Sequence, residues 1–500
     1  MSGKVVLIGA GPGEAGLLTV KALEFLRQAD VIVYDRLVDP VLLQERKQDC
    51  DLIYVGKEPS HHPIPQAEIE QILVNQAKLN KKLVIRLKSG DPYVFGRGGE
   101  EGEALYAAGI PFEVVPGVTS AIGGLAYAGI PVTHRDFASS FHVITGHLKE
   151  GSDPLDWTSL ARLEGTLIFL MGMTQLPSIC TNLIQHGRRP DTAAAVVEWA
   201  SRSRQRTVTG DLTTICGKVA EEKIGAPGLI VVGDVVKLRD KLNFFERAPL
   251  FRKHILLPRA RAGRSELAAK ITALGGEVTL YPGIRIEKLH DPAQMNAIMA
   301  SLPEYEEILF TSAEAVSLFI EALLDYGKDN RTLSGIRLTA IGKQTKEKLR
   351  EYGLAADSLI ARRSVEIIRQ ACAGNWQQGT KVLLAGSAKH TAQLAEELGG
   401  DAEFAALPLY REALEAERPF DLNRYDIVCF SSSASVDHLL SVLSREEQAL
   451  LRSKKLLSIG PMTSRTIREK GLDVYREAEA ALPDSLIELL LEEAGEVMPT

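Results

Sequence analysis

The stretch that most constrains this chain is Lys88 to Glu101, KSGDPYVFGRGGEE, which follows the apolar run Leu83-Val84-Ile85-Arg86-Leu87. That run reads as a buried β-strand, and it breaks into glycine where such a strand should end. Glycine there admits backbone turns and close approaches that a Cβ forbids. Asp91-Pro92 adds a carboxylate and a rigid turn. Open α/β sheets hold ligands beyond the carboxyl ends of their strands, so a parallel strand here makes Lys88–Glu101 a binding loop. Taken alone it is equally an ordinary solvent loop. Its recurrence along the chain decides.

Val5–Ile8 predicts a strand, GAGPGEAG a loop, Leu17–Gln28 a helix, and Val31–Tyr34 a second strand. This opening implies a parallel sheet with right-handed crossovers. Gly11-x-Gly13-x-x-Gly16 formally matches the dinucleotide fingerprint, but Pro12 interrupts it and Asp35 is followed by Arg36-Leu37 rather than a ribose-binding turn. Similar strand ends follow at Val55-Gly56-Lys57, Val114-Val115-Pro116-Gly117-Val118-Thr119-Ser120, Pro131-Val132-Thr133-His134-Arg135 and Thr145-Gly146-His147. Thr119 and Ser120 are placed to cap a helix, whose first N–H groups suit a carboxylate. The polar residues at these ends are Asp35, Lys57, Asp91, Arg97, His134 and Arg135, a mixture that suits a polyanionic substrate with a polar cofactor.

The chain has 500 residues, enough for several domains, and its composition is that of a folded globular protein. A net charge of -7 argues against general nucleic-acid binding. No apolar run is long enough for a membrane span, and MSGKVVLIGAG enters a strand without a signal-peptide pattern. Five scattered cysteines, none in a CxxC pair, fit a reducing cytoplasm and give no structural zinc spacing. Residues 238–253 are charged and aperiodic and read as a linker. Beyond them the sequence repeats itself: Leu309-Phe310-Thr311-Ser312 matches Cys429-Phe430-Ser431-Ser432, and Ile341-Gly342-Lys343-Gln344-Thr345 matches Ile459-Gly460-Pro461-Met462-Thr463. A duplicated α/β unit is the physical reading. Ser and Thr at those helix starts either cap the helices or line a cleft, and this half carries no nucleophile–base pattern, metal spacing or phosphate loop.

VVLIGAGPGEAGLLTVKAL (5–23), VIVYDRLV (31–38), VGK (55–57), GDPYVFGRGGEE (90–101), VVPGVTSA (114–121) and AGIPVTHRDFA (128–138) together resemble the uroporphyrinogen-III C-methyltransferases over residues 1–240. FTS…AV, IGKQT, FSSSASV and SIGPMTSRTIREKGL resemble uroporphyrinogen-III synthase over 253–500. The resemblance implies an α/β fold, with a two-lobed tetrapyrrole methylase (lobes 1–115 and 116–240) and a 241–252 linker. A pair of similar parallel-sheet domains follows, 253–286 with 411–490, and 287–409. It implies a homodimer through the methylase half, tetrapyrrole substrates and S-adenosyl-L-methionine, with S-adenosyl-L-homocysteine as product. By the same resemblance, Pro12, Ser89, Gly90, Asp91, Val94, Thr119, Ser120, Met171 and Ala200 line the cofactor site. Asp35 accepts a proton and Lys57 donates one. The substrate's eight carboxylates give Arg36, Arg97, His134 and Arg135 plausible partners. In the second half Tyr410, at the strand end Leu407–Arg411, is the acid, and Thr345, Ser432 and Thr463 bind carboxylate arms. Two departures stand out. Ser89 replaces a usual glycine, and Glu198-Trp199-Ala200-Ser201 replaces Glu-Asn-Gly-Thr, putting Trp199 near the adenine edge.

Two other readings remain open at this level. The second half could be a cleft-type binding module without catalysis, or the first half a nicotinamide enzyme.

Overall fold

A computed structural model of the chain describes residues 3–47, 49–56, 64–79, 83–146, 155–258, 265–281, 284–289, 291–361, 364–372, 376–400, 402–414 and 421–495. The first lobe holds β1 (Lys4–Gly9), β2 (Val31–Tyr34), β3 (Asp51–Tyr54), β4 (Leu83–Lys88) and β5 (Phe112–Val115), side by side as β3-β2-β4-β1-β5. All neighbours run parallel, as the strand–helix–strand opening predicts. Side chains alternate between two cores. Val6, Ile8, Ile32 and Ile85 pack with Ala22 and Leu26 of the helix Val20–Gln28. Val5, Leu7, Val31 and Val33 pack with Ile69 and Leu73 of the helix Gln66–Lys78. That first helix starts later than its periodicity suggests, because Thr19 caps it by accepting from Ala22 N. The order places β1 against β4, so Gly9 and the Lys88–Glu101 loop emerge side by side.

The second lobe holds β6 (Phe141–Thr145), β7 (Thr166–Leu170), β8 (Ala193–Glu198), β9 (Arg206–Asp211) and β10 (Gly228–Val232), ordered β6-β7-β10-β8-β9. Here β6 and β7 run parallel, while β10 opposes both β7 and β8, and β8 opposes β9. The lobe is therefore mixed rather than parallel.

The segment read as a linker is folded structure. Arg239 lies in a short helix, Arg239–Leu242, donates to Ala128 O at 2.5 Å and pairs with Glu246. Glu246 also accepts from Gln205 at 2.8 Å and Thr207 at 2.6 Å. Phe245 packs edge-on against Tyr127, and Leu250 is fully buried. Irregular packing of this kind has no sequence period, which is why periodicity reads it as linker.

The described residues fall into two compact units: those of 3–258, 265–280 and 421–495, and those of 281–414. In the first unit, strands Glu277–Tyr281, His254–Pro258, Ile427–Phe430, Lys455–Ser458 and Arg476–Glu477 form a third sheet in that order. In the second, Ile284–Lys288, Glu403–Leu414, Lys381–Ser387, Glu307–Phe310, Arg337–Ile341 and Ser358–Ile360 form a six-stranded sheet. Its members are parallel except Ile284–Lys288 against Glu403–Leu414. The repeated motifs take the same form in each unit. Ser312 caps the helix Ala313–Asp325 by accepting from Ala315 N, and Ser432 caps Ser433–Val442 by accepting from Ser435 N.

Candidate functional site

The strand ends of the first lobe close on one another through glycine. A Cβ on Gly9 would lie 2.5 Å from Gly117 Cα and 2.6 Å from Gly90 O, so three loops nest where any side chain would force them apart. Gly90, left-handed at φ 68, exchanges backbone hydrogen bonds with Gly11 at 2.8 and 3.2 Å. Asp91 clamps the nest: its carboxylate accepts from Gly117 N at 3.0 Å and from Tyr93 N at 2.8 Å. Beside it starts the helix Ser120–Tyr127, capped by Thr119. Gly123 of that helix leaves room for the Pro12 ring, and a Cβ on Gly124 would lie 2.8 Å from Ala200 Cβ. Pro12, Gly90, Asp91, Thr119, Ser120 and Ala200 thus gather around one helix start. Val94 and Ser89 are half-buried on the loop, and Met171 stands after β7 with left-handed backbone and an exposed side chain.

Asp35 ends β2, partly exposed, with its Oδ1 accepting from Arg86 Nη2 at 2.8 Å. Arg86 is 2% exposed and donates from Nε to Glu101 Oε1 at 3.1 Å. Lys88 and Gln66 donate to the same oxygen at 2.8 and 3.3 Å. Among the described residues Glu101 Oε2, fully buried, has no partner. Burial, then the Arg86 charge, pushes Lys88 below the ordinary lysine range, against the pull of Glu101. A buried cation needs such a partner, so Glu101 fixes Arg86, and Arg86 fixes Asp35. The signal for this network lay in β4 itself, where Arg86 and Lys88 alternate onto one face of an otherwise apolar strand.

In the second unit Tyr410, 4% exposed, shares a hydrogen bond with Ser312 at 2.8 Å. Ser387, paired with Tyr410 across a register shift, bonds His390 Nδ1 at 2.7 Å. Two serines thus neighbour Tyr410, Ser312 bonded to its hydroxyl and Ser387 beside it in the sheet. Sequence reasoning missed Ser387 and His390, whose only signal is a serine at the end of an apolar strand.

Residues 4–216 match the tetrapyrrole (corrin/porphyrin) methylases, and residues 265–488 match the uroporphyrinogen-III synthase HemD family. The porphyrin biosynthesis protein HemD of Ruminiclostridium josui is 36% identical over 501 residues, covering 99% of this chain and 98% of that one. The chain belongs to the tetrapyrrole methylases fused to uroporphyrinogen-III synthase. The uroporphyrinogen-III C-methyltransferase of Bacillus subtilis is 43% identical over 360 residues, 72% of this chain and 73% of that protein. A Thermus thermophilus uroporphyrin-III C-methyltransferase, solved with S-adenyl homocysteine, is 42% identical, covers 47% of this chain and 100% of its own, and has a TM-score of 0.41.

Several expected site residues of the fusion stand differently from the sequence reading. Lys57 lies outside the described residues. Arg97, expected on substrate, pairs with Glu100 one helical turn on. Arg36 and Arg135 are exposed, and His134 accepts from Asp136 N within the turn closed by the His134–Ala138 bridge. Tyr410 does not end its strand, which runs on to Leu414 because it pairs with Ile284–Lys288. Thr345 is buried, and its hydroxyl donates to Ile341 O at 2.6 Å, while Thr463 is 4% exposed. Thr345 thus supports its helix start from within. Trp199 has the Arg204 guanidinium 3.4 Å from its ring centre.

Proposed function

We propose that this chain performs two successive steps of tetrapyrrole synthesis. Its second half closes hydroxymethylbilane, with inversion of the last ring, to uroporphyrinogen III. Its first half methylates that product twice with S-adenosylmethionine, giving precorrin-2 and S-adenosylhomocysteine. One observation carries the reading: the two halves stand in one chain, matched over 99% of its length by a porphyrin biosynthesis protein, and the product of one is the substrate of the other.

The glycine nest suits the cofactor, since Gly9, Gly90 and Gly117 allow backbone close approach and the Ser120–Tyr127 helix start offers N–H groups to a carboxylate. Bound there, S-adenosylmethionine supplies an electrophilic methyl group. Pro12, Ser89, Gly90, Asp91, Val94, Thr119, Ser120, Met171 and Ala200 hold and orient it, and positioning provides much of the rate. Asp35, fixed by Arg86, takes the proton that a bridging carbon beside the methylated ring sheds, since the methylated carbon itself carries no hydrogen, and Lys57 is the proton donor for the accompanying tautomeric shift. Arg36, His134 and Arg135 meet substrate carboxylates, and Arg97 joins them on leaving Glu100. In the second half Tyr410 acts as the weak acid that assists loss of water, while Ser432, Thr463 and helix-start N–H groups hold carboxylate arms and Thr345 orders its helix start. The reading also makes the protein a cytoplasmic homodimer through its methylase half, which sedimentation equilibrium tests. Among the described residues no helix is long and apolar enough to cross a membrane.

The test supplies the whole protein with hydroxymethylbilane, with and without S-adenosylmethionine, and follows absorbance and product mass. Uroporphyrinogen III alone, becoming a dimethylated product when cofactor is added, supports both halves. Type I isomer alone, with methylation of supplied uroporphyrinogen III retained, reduces the second half to a binding module.

A further inference from the structure

The turn after β8 and the end of the folded segment before His254 border an open cleft of about 460 Å³, lined by Glu198, Trp199, Arg204, Arg206, Arg252 and His254. Three guanidiniums and an imidazole line it, the imidazole 3.4 Å from Glu277, together with one carboxylate. That carboxylate is already engaged, with Glu198 accepting from Arg206 Nε and from Gly225 N, both at 2.7 Å. In a chain of net charge -7, this is a concentrated positive surface.

Two further observations mark the cleft as built. Arg204 lies flat on the Trp199 ring, and its Nε is buried with no hydrogen-bond partner among the described residues. A buried guanidinium nitrogen without an acceptor is costly, and an incoming anion repays it. Burial, followed by the Arg202 charge, pushes the Arg204 pKa down against the pull of Glu277. The backbone is strained at both rims. Trp199 (φ 49), Ser201 (φ 61) and Arg252 (φ 64) are left-handed without being glycine. Such residues persist only where surrounding structure holds them, and they gather at ligand clamps. Here Ser201 N is held by Gln205 at 2.8 Å, and Trp199 N by Pro227 O at 3.0 Å.

We propose that this cleft is a second binding site, for a molecule bearing several carboxylates, gripped by Arg204 and Arg252. Planar guanidinium forks match carboxylates two bonds at a time, and Trp199 holds Arg204 in register for that contact. The carboxylates come either from a small free tricarboxylate or from the acetate and propionate arms of a tetrapyrrole. The site itself does not depend on the proposed activity. Only the second source rests on it.

Calorimetric titration of the full-length protein with citrate, and separately with uroporphyrin III, distinguishes these. Wild type is compared with Arg204→Gln, Arg252→Gln and, as a remote control, Arg189→Gln, each checked for native melting. The expected result is binding that weakens about tenfold or more in Arg204→Gln and in Arg252→Gln, the loss due to one charge-assisted hydrogen bond, and is unchanged in Arg189→Gln. Citrate alone binding in this way assigns the free tricarboxylate, and uroporphyrin alone assigns the tetrapyrrole arms. Absence of binding by both probes, or affinities equal in wild type and the two cleft variants, overturns the proposal.

Discussion

Asp35 and Glu101 belong to one chain of contacts, yet their substitutions should fail in different ways. Asp35 touches the proposed chemistry and is partly exposed, whereas Glu101 is buried against two cations. Asp35→Asn should keep S-adenosylhomocysteine affinity while methylation falls by about 10²–10⁴-fold, the usual contribution of a positioned base. Single-turnover methylation checks this, and near-normal turnover would remove Asp35 as the base. Glu101→Gln should instead destabilise the fold by about 3–5 kcal/mol, because it leaves Arg86 and Lys88 buried without a counter-charge. Denaturant midpoints measure it; a loss below about 1 kcal/mol would mean the cations find other partners. Asp35 was legible from its strand-end position. Its anchor was not, because Arg86 lies 51 residues away and meets it only once β2 and β4 pair.

Among elements, the nested loops and the turns that start helices respond to local geometry. Gly117→Ala sets a methyl group against Gly90 O and Gly9 Cα, both backbone atoms that cannot swing aside. Overpacking of this sort costs about 1–3 kcal/mol. It should also abolish S-adenosylhomocysteine binding in calorimetry; retained affinity would place the cofactor elsewhere. At the turn before the helix Ile215–Glu221, Asp211 accepts hydrogen bonds from Thr213 and Thr214, which hold its pKa at about 2 against an ordinary 3.8. Its folded pKa is depressed, so its contribution is present above pH 3.8 and lost as pH falls from there to about 2. Asp211→Asn should therefore flatten the stability profile within that window and leave it parallel to wild type at neutral pH. Urea midpoints across the window decide; an unchanged acid limb would sink the assignment. The glycine-rich loops were readable because glycine is a local requirement. The mixed second sheet was not, since an apolar strand reads alike whichever way its neighbours run.

For the whole molecule, the consequential feature is the folded segment 238–253, which the charge pattern presents as a tether. Its charges are spent on partners such as Ala128 O, Gln205 and Thr207, and Leu250 is buried beneath it. Ser203 of the methylase half further bonds Glu277, beyond that segment, at 2.5 Å. Limited trypsin digestion of the native protein should accordingly spare Arg239, Lys241 and Arg247 while other sites are cut. Early fragments ending at those residues, mapped by mass, would show the segment to be a loose tether after all.

By itself the sequence determined the strand and helix types, the glycine loops at strand ends, the internal repeat and the kinship of both halves, because each is written in contiguous residues. Tertiary structure alone decided what those residues meet. The Arg86–Glu101 anchor and the Tyr410–Ser312 bond spanning 98 residues both depend on register and packing. Sequence periodicity carries only the face on which a side chain lies, and the partner across the gap is chosen when distant segments close into one core.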